Sequence, residues 1–178
     1  MSISLASLGV RICIIGPSSS GKSTLATHLG QKITGKICHL DQLAHKQNTN
    51  WQRRPDADFI ADHDAFIKGS VWVIDGNYSI CMPQRFARST AIIFLDLPIT
   101  GCLWRYVRRS FEQDEARKGN LAGATQQFNV KMLKYIALGY QKNHKKYETF
   151  LKTYNKPVVR IRSFKELKQY YALWELTR

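Results

Sequence analysis

The segment Gly16-Pro17-Ser18-Ser19-Ser20-Gly21-Lys22-Ser23 constrains this chain more than any other part of it. It matches the spacing G-x-x-x-x-G-K-[ST], in which each fixed position has a physical task. The glycines let the backbone curl until its N–H groups converge on a phosphate, and the positive end of the helix that follows adds to the attraction. Lys22 can reach the β- and γ-phosphates, and Ser23 can offer its hydroxyl to Mg²⁺. The candidate nucleotide contacts are therefore Gly16, Ser18, Ser19, Ser20, Gly21, Lys22, Ser23 and Thr24. The flanks supply the required context. Val10 to Ile15 is a continuous apolar run that suits a strand buried on both faces, and Leu25, Ala26, Leu29 and Ile33 recur at helical spacing. Strand, glycine loop and helix together predict a segment that holds the phosphates of ATP or a close relative of it.

The rest of the chain continues the alternation. A short strand is expected at Lys36 to Leu40, closed by Asp41 and followed by a polar stretch to Arg54 that carries Trp51. Pro55 with Phe59, Ile60, His63, Phe66 and Ile67 predicts a helix with proline near its first turn. Val71 to Ile74 reads as the third strand, left through the turn Asp75-Gly76-Asn77-Tyr78, and Ala91 to Leu95 as the fourth. A helix is expected from Ile99 to about Phe111, then a polar loop from Glu112 to Gln127, then a long amphipathic helix from Val130 to about Tyr154. Its aromatic residues Tyr140, Tyr147 and Tyr154 read as core contacts. Pro157 to Ile161 is the fifth strand, and Ser163 with Glu166 forms a capping box for the last helix. Strands alternating with helices predict an α/β fold with parallel pairing through crossover connections.

At 178 residues the length suits one domain with a real core, taken as 1–178. No apolar run reaches the roughly 18 residues a membrane span needs, and the apolar N-terminal stretch has no basic leader or cleavage site, so a cytoplasmic protein is expected. Cys13, Cys38, Cys81 and Cys102 form no CxxC pair and read as buried thiols rather than zinc ligands or a disulfide scaffold. Lys and Arg number 27 against 13 Asp and Glu, a net +14 whose field attracts polyanions: nucleotides, nucleic acids or anionic lipids.

Neither the N-K-x-D nor the D-x-x-G element of a GTPase occurs, and no L-S-G-G-Q segment of a transporter ATPase does either. A small-molecule kinase is the class that remains. Val73-Ile74-Asp75-Gly76-Asn77-Tyr78, Ile92 to Pro98, Trp104-Arg105, Arg108-Arg109 and His39-Leu40-Asp41 make a more specific resemblance. With the glycine loop, they resemble the adenylate-kinase-related P-loop proteins called DNA topology modulation proteins. The resemblance runs from about Val10 to the end and is weakest from Glu112 to Gln127. It implies a three-layer, nucleoside-monophosphate-kinase-like fold: five parallel strands, helices on both faces, an acceptor region at about 42–70 and a small lid at about 110–128. The family implies no settled substrate.

The resemblance also assigns candidate roles. It places Asp75 near Mg²⁺, holding the metal's waters beside Ser23, although Asp-Gly is also a common turn pair. Asp41 falls where the acceptor pocket is expected, able to bind or deprotonate an acceptor hydroxyl, or else to cap a helix. Arg85 matches an arginine expected to fork onto an acceptor phosphate or carboxylate. Trp51 either flanks that pocket or packs under its loop. Arg105 and Arg109, with Arg108, share one helical face at the base of the lid, where they can neutralise a transferring phosphoryl group or simply face solvent. True adenylate kinases carry proline and arginine directly after Asp-Gly. Here Asn77 and Tyr78 stand instead, which argues against AMP as the acceptor.

The expected function is therefore ATP- and Mg²⁺-dependent phosphoryl transfer to a nucleotide or another small acceptor. The alternatives are plain ATP hydrolysis and a nucleic-acid-binding regulator switched by ATP. The last draws on the basic final third, where twelve Lys or Arg stand against three Glu from Val130 to Arg178.

Overall fold

The computed structural model describes residues 3–111, 118, 119, 121 and 129–176. Five strands form one parallel sheet: β1 (Arg11–Ile15), β2 (Lys36–His39), β3 (Trp72–Asp75), β4 (Ala91–Leu95) and β5 (Val158–Ile161), in the order β2-β3-β1-β4-β5. The helices are α1 (Lys22–Lys32), α2 (Leu40–Ala44), α3 (Asp56–Ile67), α4 (Met82–Arg88), α5 (Ile99–Phe111), α6 (Val130–Lys152) and α7 (Phe164–Leu173). The α/β class and the five parallel strands agree with the sequence reading, with strand ends within one residue of those expected.

Strand alternation sorts the core into two layers. Ile12 and Ile14 of β1 point to one face with Val73, Ile93, Leu95 and Ile161, and meet Leu25 and Leu29 of α1, Cys102 and Tyr106 of α5, and Tyr170 and Tyr171 of α7. Cys13 and Ile15 point to the other face with Trp72, Ile74, Ile92 and Phe94. There they meet Leu40 of α2, Phe59 and Ile67 of α3, and Met82 and Phe86 of α4. Helix α6 belongs to both layers, because Ile136 packs in the first and Tyr147 in the second.

Two short helices were not expected. Leu40, read as the end of the second strand, and Ala44, in the stretch read as polar, turn inward to form α2, and Met82 and Phe86 turn inward in α4, where no element was expected. The last helix begins as its capping box predicts. Glu166 N–H donates to Ser163 Oγ at 3.0 Å, while the Glu166 carboxylate reaches the N–H of Arg162, one residue earlier than the ideal box. Tyr147 is buried as expected, and Tyr154 lies beyond the end of α6, hydrogen-bonded to Ser89 at 2.9 Å. The Tyr140 side chain lies outside the described residues. So does most of the expected lid, of which 110, 111, 118, 119 and 121 are described.

Candidate active site

The glycine loop joins β1 to α1 at the carboxyl end of the central strand, where open parallel sheets bind their ligands. Gly16 has φ +148°, and a Cβ there would lie 2.5 Å from the carbonyl oxygen of Leu95, so the tight turn off β1 requires glycine. Lys22 folds back over the loop, its ammonium donating to the carbonyls of Gly16 at 3.0 Å and Pro17 at 2.8 Å. Desolvation inside the loop pushes its pKa below the ordinary value, against the opposing pull of Asp75 and Asp41. Ser19 and Ser20 each hold a buried hydroxyl with no hydrogen-bond partner among the described residues. Buried polar atoms rarely lack partners, and two of them in one phosphate loop fit a cradle built for an oxygen-rich ligand.

Asp75 ends β3, in register with Ile14 of β1 and His39 of β2. Its carboxylate accepts from Ser23 Oγ at 2.8 Å through one oxygen and from His39 Nδ1 at 2.5 Å through the other. Ser23 and Asp75 thus stand together as hard oxygen donors of the kind Mg²⁺ prefers. Among the described residues no group of three or more His, Cys, Asp or Glu could hold a metal.

One wide cleft of about 1090 Å³ gathers most of the candidate residues. Ser18, Ser19, Gly21, Lys22, Ser23 and Thr24 line its nucleotide side; Arg105, Arg108 and Arg109 reach it from α5, and Asp41 and Trp51 from beyond β2. The guanidinium of Arg105 lies over the Phe164 ring at 5.1 Å and that of Arg109 over the Tyr106 ring at 5.4 Å, so aromatic faces aim both arginines. Asp41 sits in the first turn of α2, where it makes no side-chain cap, and its carboxylate accepts from Tyr78 Oη at 2.7 Å. The capping alternative for Asp41 therefore gives way to a carboxylate facing the cleft. Trp51 lies at the tip of a loop closed by Lys46 N–H donating to Gln52 O at 2.8 Å, with its ring 5.3 Å from His45.

Arg85 is a correction. It is 1% exposed, and its guanidinium donates to the carbonyls of Tyr78 at 2.8 Å and Gly76 at 3.0 Å, with Cys81 Sγ at 3.2 Å. Helix α4 turns it under the segment that leaves β3, where it pins the backbone of the Asp-Gly turn instead of lining the cleft. An arginine at this depth needs several acceptors, and the freed carbonyls of that turn supply them.

Several residues were not picked out as site residues. Asn77 clamps the loop from outside: its Oδ1 accepts from Gly16 N–H at 3.1 Å and its Nδ2 donates to Gly16 O at 2.6 Å. The sequence marked Asn77 only as a departure after Asp-Gly. His39 stood next to the expected strand end, and its register with Asp75 is the feature that could have identified it. From the lid region, Gly119 with φ +75° approaches so closely that a Cβ on it would lie 2.6 Å from Ser23 Oγ.

A phosphate loop after the central strand of a parallel sheet ordered β2-β3-β1-β4-β5 defines the P-loop kinase fold. Solved structures with this architecture include a gluconokinase from Sinorhizobium meliloti 1021, with TM-score 0.58 and 12% identity over 94% of this chain and 93% of that one. The shikimate kinase of Aquifex aeolicus vf5 aligns with TM-score 0.54 and 15% identity over 93% and 96%. The shikimate kinase of Acinetobacter baumannii, in complex with shikimate, aligns with TM-score 0.54 and 12% identity over 95% of both chains. At these identities the likeness establishes the fold. No family model and no curated sequence matches the chain.

Proposed function

We propose that this chain is an ATP- and Mg²⁺-dependent phosphotransferase acting on a small-molecule acceptor. The observation that carries the reading is the convergence of Lys22, Ser23, Arg105, Arg109 and Asp41 on a single cleft. The names of the structural neighbours, a gluconokinase and two shikimate kinases, agree with it.

The loop N–H groups and the Ser19 and Ser20 hydroxyls hold the donor's phosphates. Lys22, released from the Gly16 and Pro17 carbonyls, moves onto the β- and γ-phosphates, so ligand replaces internal acceptors for the same ammonium. Ser23 and Asp75 would hold Mg²⁺, which neutralises phosphate charge when bound. His39 fixes the orientation of the Asp75 carboxylate. Arg105 and Arg109 face the charge that spreads over the phosphoryl group in a loose transition state. Asp41, oriented by Tyr78, receives the proton of the acceptor. Gly119, packed against Ser23, helps shield the reacting groups from water.

A radiolabel assay tests this: γ-labelled ATP with a panel of nucleotides, sugars and hydroxylated acids should label at least one acceptor, and Lys22→Ala should lower that rate by about 10³-fold or more. Label released to water alone, equally with and without acceptor, would leave the plain ATPase reading. The DNA topology modulation reading draws on the +14 charge and the family resemblance. Part of the basic surplus is engaged within the chain: Lys156 binds the carbonyls of Ala87 and Ser89, and Arg160 pairs with Asp96 and Glu148. Duplex affinity no greater at physiological salt than that of other basic proteins of this size would dismiss it.

A further inference from the structure

Two consecutive residues, Tyr78 and Ser79, organise the far wall of the cleft. The Tyr78 hydroxyl donates to Asp41 at 2.7 Å. The guanidinium of Arg53 lies over the Tyr78 ring at 5.5 Å, already paired with Asp56 at 2.7 Å. The ammonium of Lys146, reaching down from α6, donates to Ser79 Oγ at 2.7 Å. Among the described residues that neutral hydroxyl is the polar partner of Lys146, and no carboxylate is paired with it. A carboxylate and an ammonium with no acidic partner among the described residues thus flank one dipeptide that follows β3. The dipeptide follows β3, which pairs directly with β1, and Asn77 just before it bonds Gly16, so this group stands beside the donor loop.

The two charges select different parts of an acceptor. A carboxylate facing the acceptor atom attracts a hydroxyl, whose proton it can accept, and repels a phosphate oxygen, which carries no proton to give at neutral pH. An ammonium without an acidic partner favours an anionic group elsewhere on the same molecule. Building on the phosphotransferase reading above, we propose that the acceptor is a hydroxylated anion. In this assignment its hydroxyl is phosphorylated beside Asp41, and its carboxylate or phosphate ester is read by Lys146, with Arg53 at the margin.

The step balances as an in-line displacement. A bond forms from the acceptor hydroxyl oxygen to the terminal phosphorus of the nucleoside triphosphate. The bond from that phosphorus to the bridging oxygen breaks, and the electron pair leaves with the nucleoside diphosphate. The hydroxyl proton passes to Asp41 and then to water. A nucleoside monophosphate phosphorylated on its own phosphate is what this wall disfavours.

The test uses the full chain with three sets of probes: hydroxy acids such as gluconate, sugar phosphates, and nucleoside monophosphates. Each of the first two is matched by its neutral polyol or methyl ester. Binding is measured by calorimetry in the presence of Mg²⁺ and a non-hydrolysable ATP analogue, and turnover with labelled ATP. A hydroxylated anion should bind at least about tenfold better than its neutral partner. Lys146→Ala should remove that preference, raising the acceptor KM about tenfold with kcat and the KM for ATP nearly unchanged, and Lys146→Arg should restore most of it. Preference for gluconate-type probes identifies the anion as a carboxylate, and preference for sugar phosphates identifies it as a phosphate ester. Neutral acceptors binding equally well, an unaltered preference in Lys146→Ala, no binding by any probe, or a nucleoside monophosphate phosphorylated on its own phosphate as the best acceptor would each overturn the inference. The last would leave the phosphotransferase reading standing. Selective binding of hydroxylated anions without label transfer would sink the phosphotransferase reading and keep the anion site.

Discussion

Asn77 is the residue whose role is most open to direct challenge. It satisfies both the N–H and the carbonyl of Gly16, and that carbonyl is also where Lys22 rests. Asn77→Ala leaves the Gly16 N–H without its partner and the Gly16 carbonyl with Lys22 alone, at a cost of about 1–3 kcal/mol. Thermal denaturation should show this loss, and titration with an ATP analogue should show nucleotide affinity falling about tenfold. Unchanged affinity would mean the clamp does not shape the loop. Arg85→Ala should act differently, destabilising the fold by about 3 kcal/mol or more because it strands the Gly76 and Tyr78 carbonyls and leaves a cavity. Activity per folded molecule should fall far less than in Lys22→Ala. The contrast shows what the sequence could reveal at this scale. The loop residues were legible because their spacing is local. Arg85 was misplaced because nothing in its neighbours says that α4 turns inward, and Asn77 acts across sixty-one positions of chain.

Among the elements, α3 carries a titratable group in its buried face. His63 is fully buried and hydrogen-bonded to Asp64 at 2.8 Å, and burial pushes its pKa below the ordinary value, opposed by Asp64 and reinforced by Arg85. As the pH falls through about 6.5, the unfolded chain takes up a proton there that the folded chain resists, so stability declines on the acid side of that point. The melting temperature should therefore drop more steeply between about pH 7 and pH 5 in the wild type than in His63→Gln. Parallel curves would remove His63 from the account. Strands β1, β3 and β4 were legible because burial on both faces leaves a continuous apolar run. Helices α2 and α4, of five and seven residues, span too few turns to show a period. The double membership of α6 was illegible too, because its apolar face reads the same whichever layer receives it.

For the molecule as a whole, the central claim is that the P-loop side and the Asp41 side of one cleft work together, donor against acceptor. Gly119 lines that cleft and packs against Ser23. Gly119→Ala should therefore lower kcat and weaken ATP binding together, because a Cβ at φ +75° meets the Ser23 side chain that the proposed Mg²⁺-nucleotide site uses. An unchanged kcat would show that this approach is not part of turnover. The fold and the place of the glycine loop were legible from spacing and alternation, whereas the far wall of the cleft was not, since Asp41 of α2, Arg53, Tyr78, Ser79 and Lys146 of α6 come together from separate parts of the chain. The most direct measurement is the fate of the labelled γ-phosphoryl group of ATP in the wild type, Lys22→Ala and Asp41→Asn. The account predicts acceptor-dependent transfer that Lys22→Ala abolishes and Asp41→Asn slows by about 10²-fold or more, with little release to water. Release to water at the same rate with or without every acceptor, insensitive to Asp41→Asn, would contradict it.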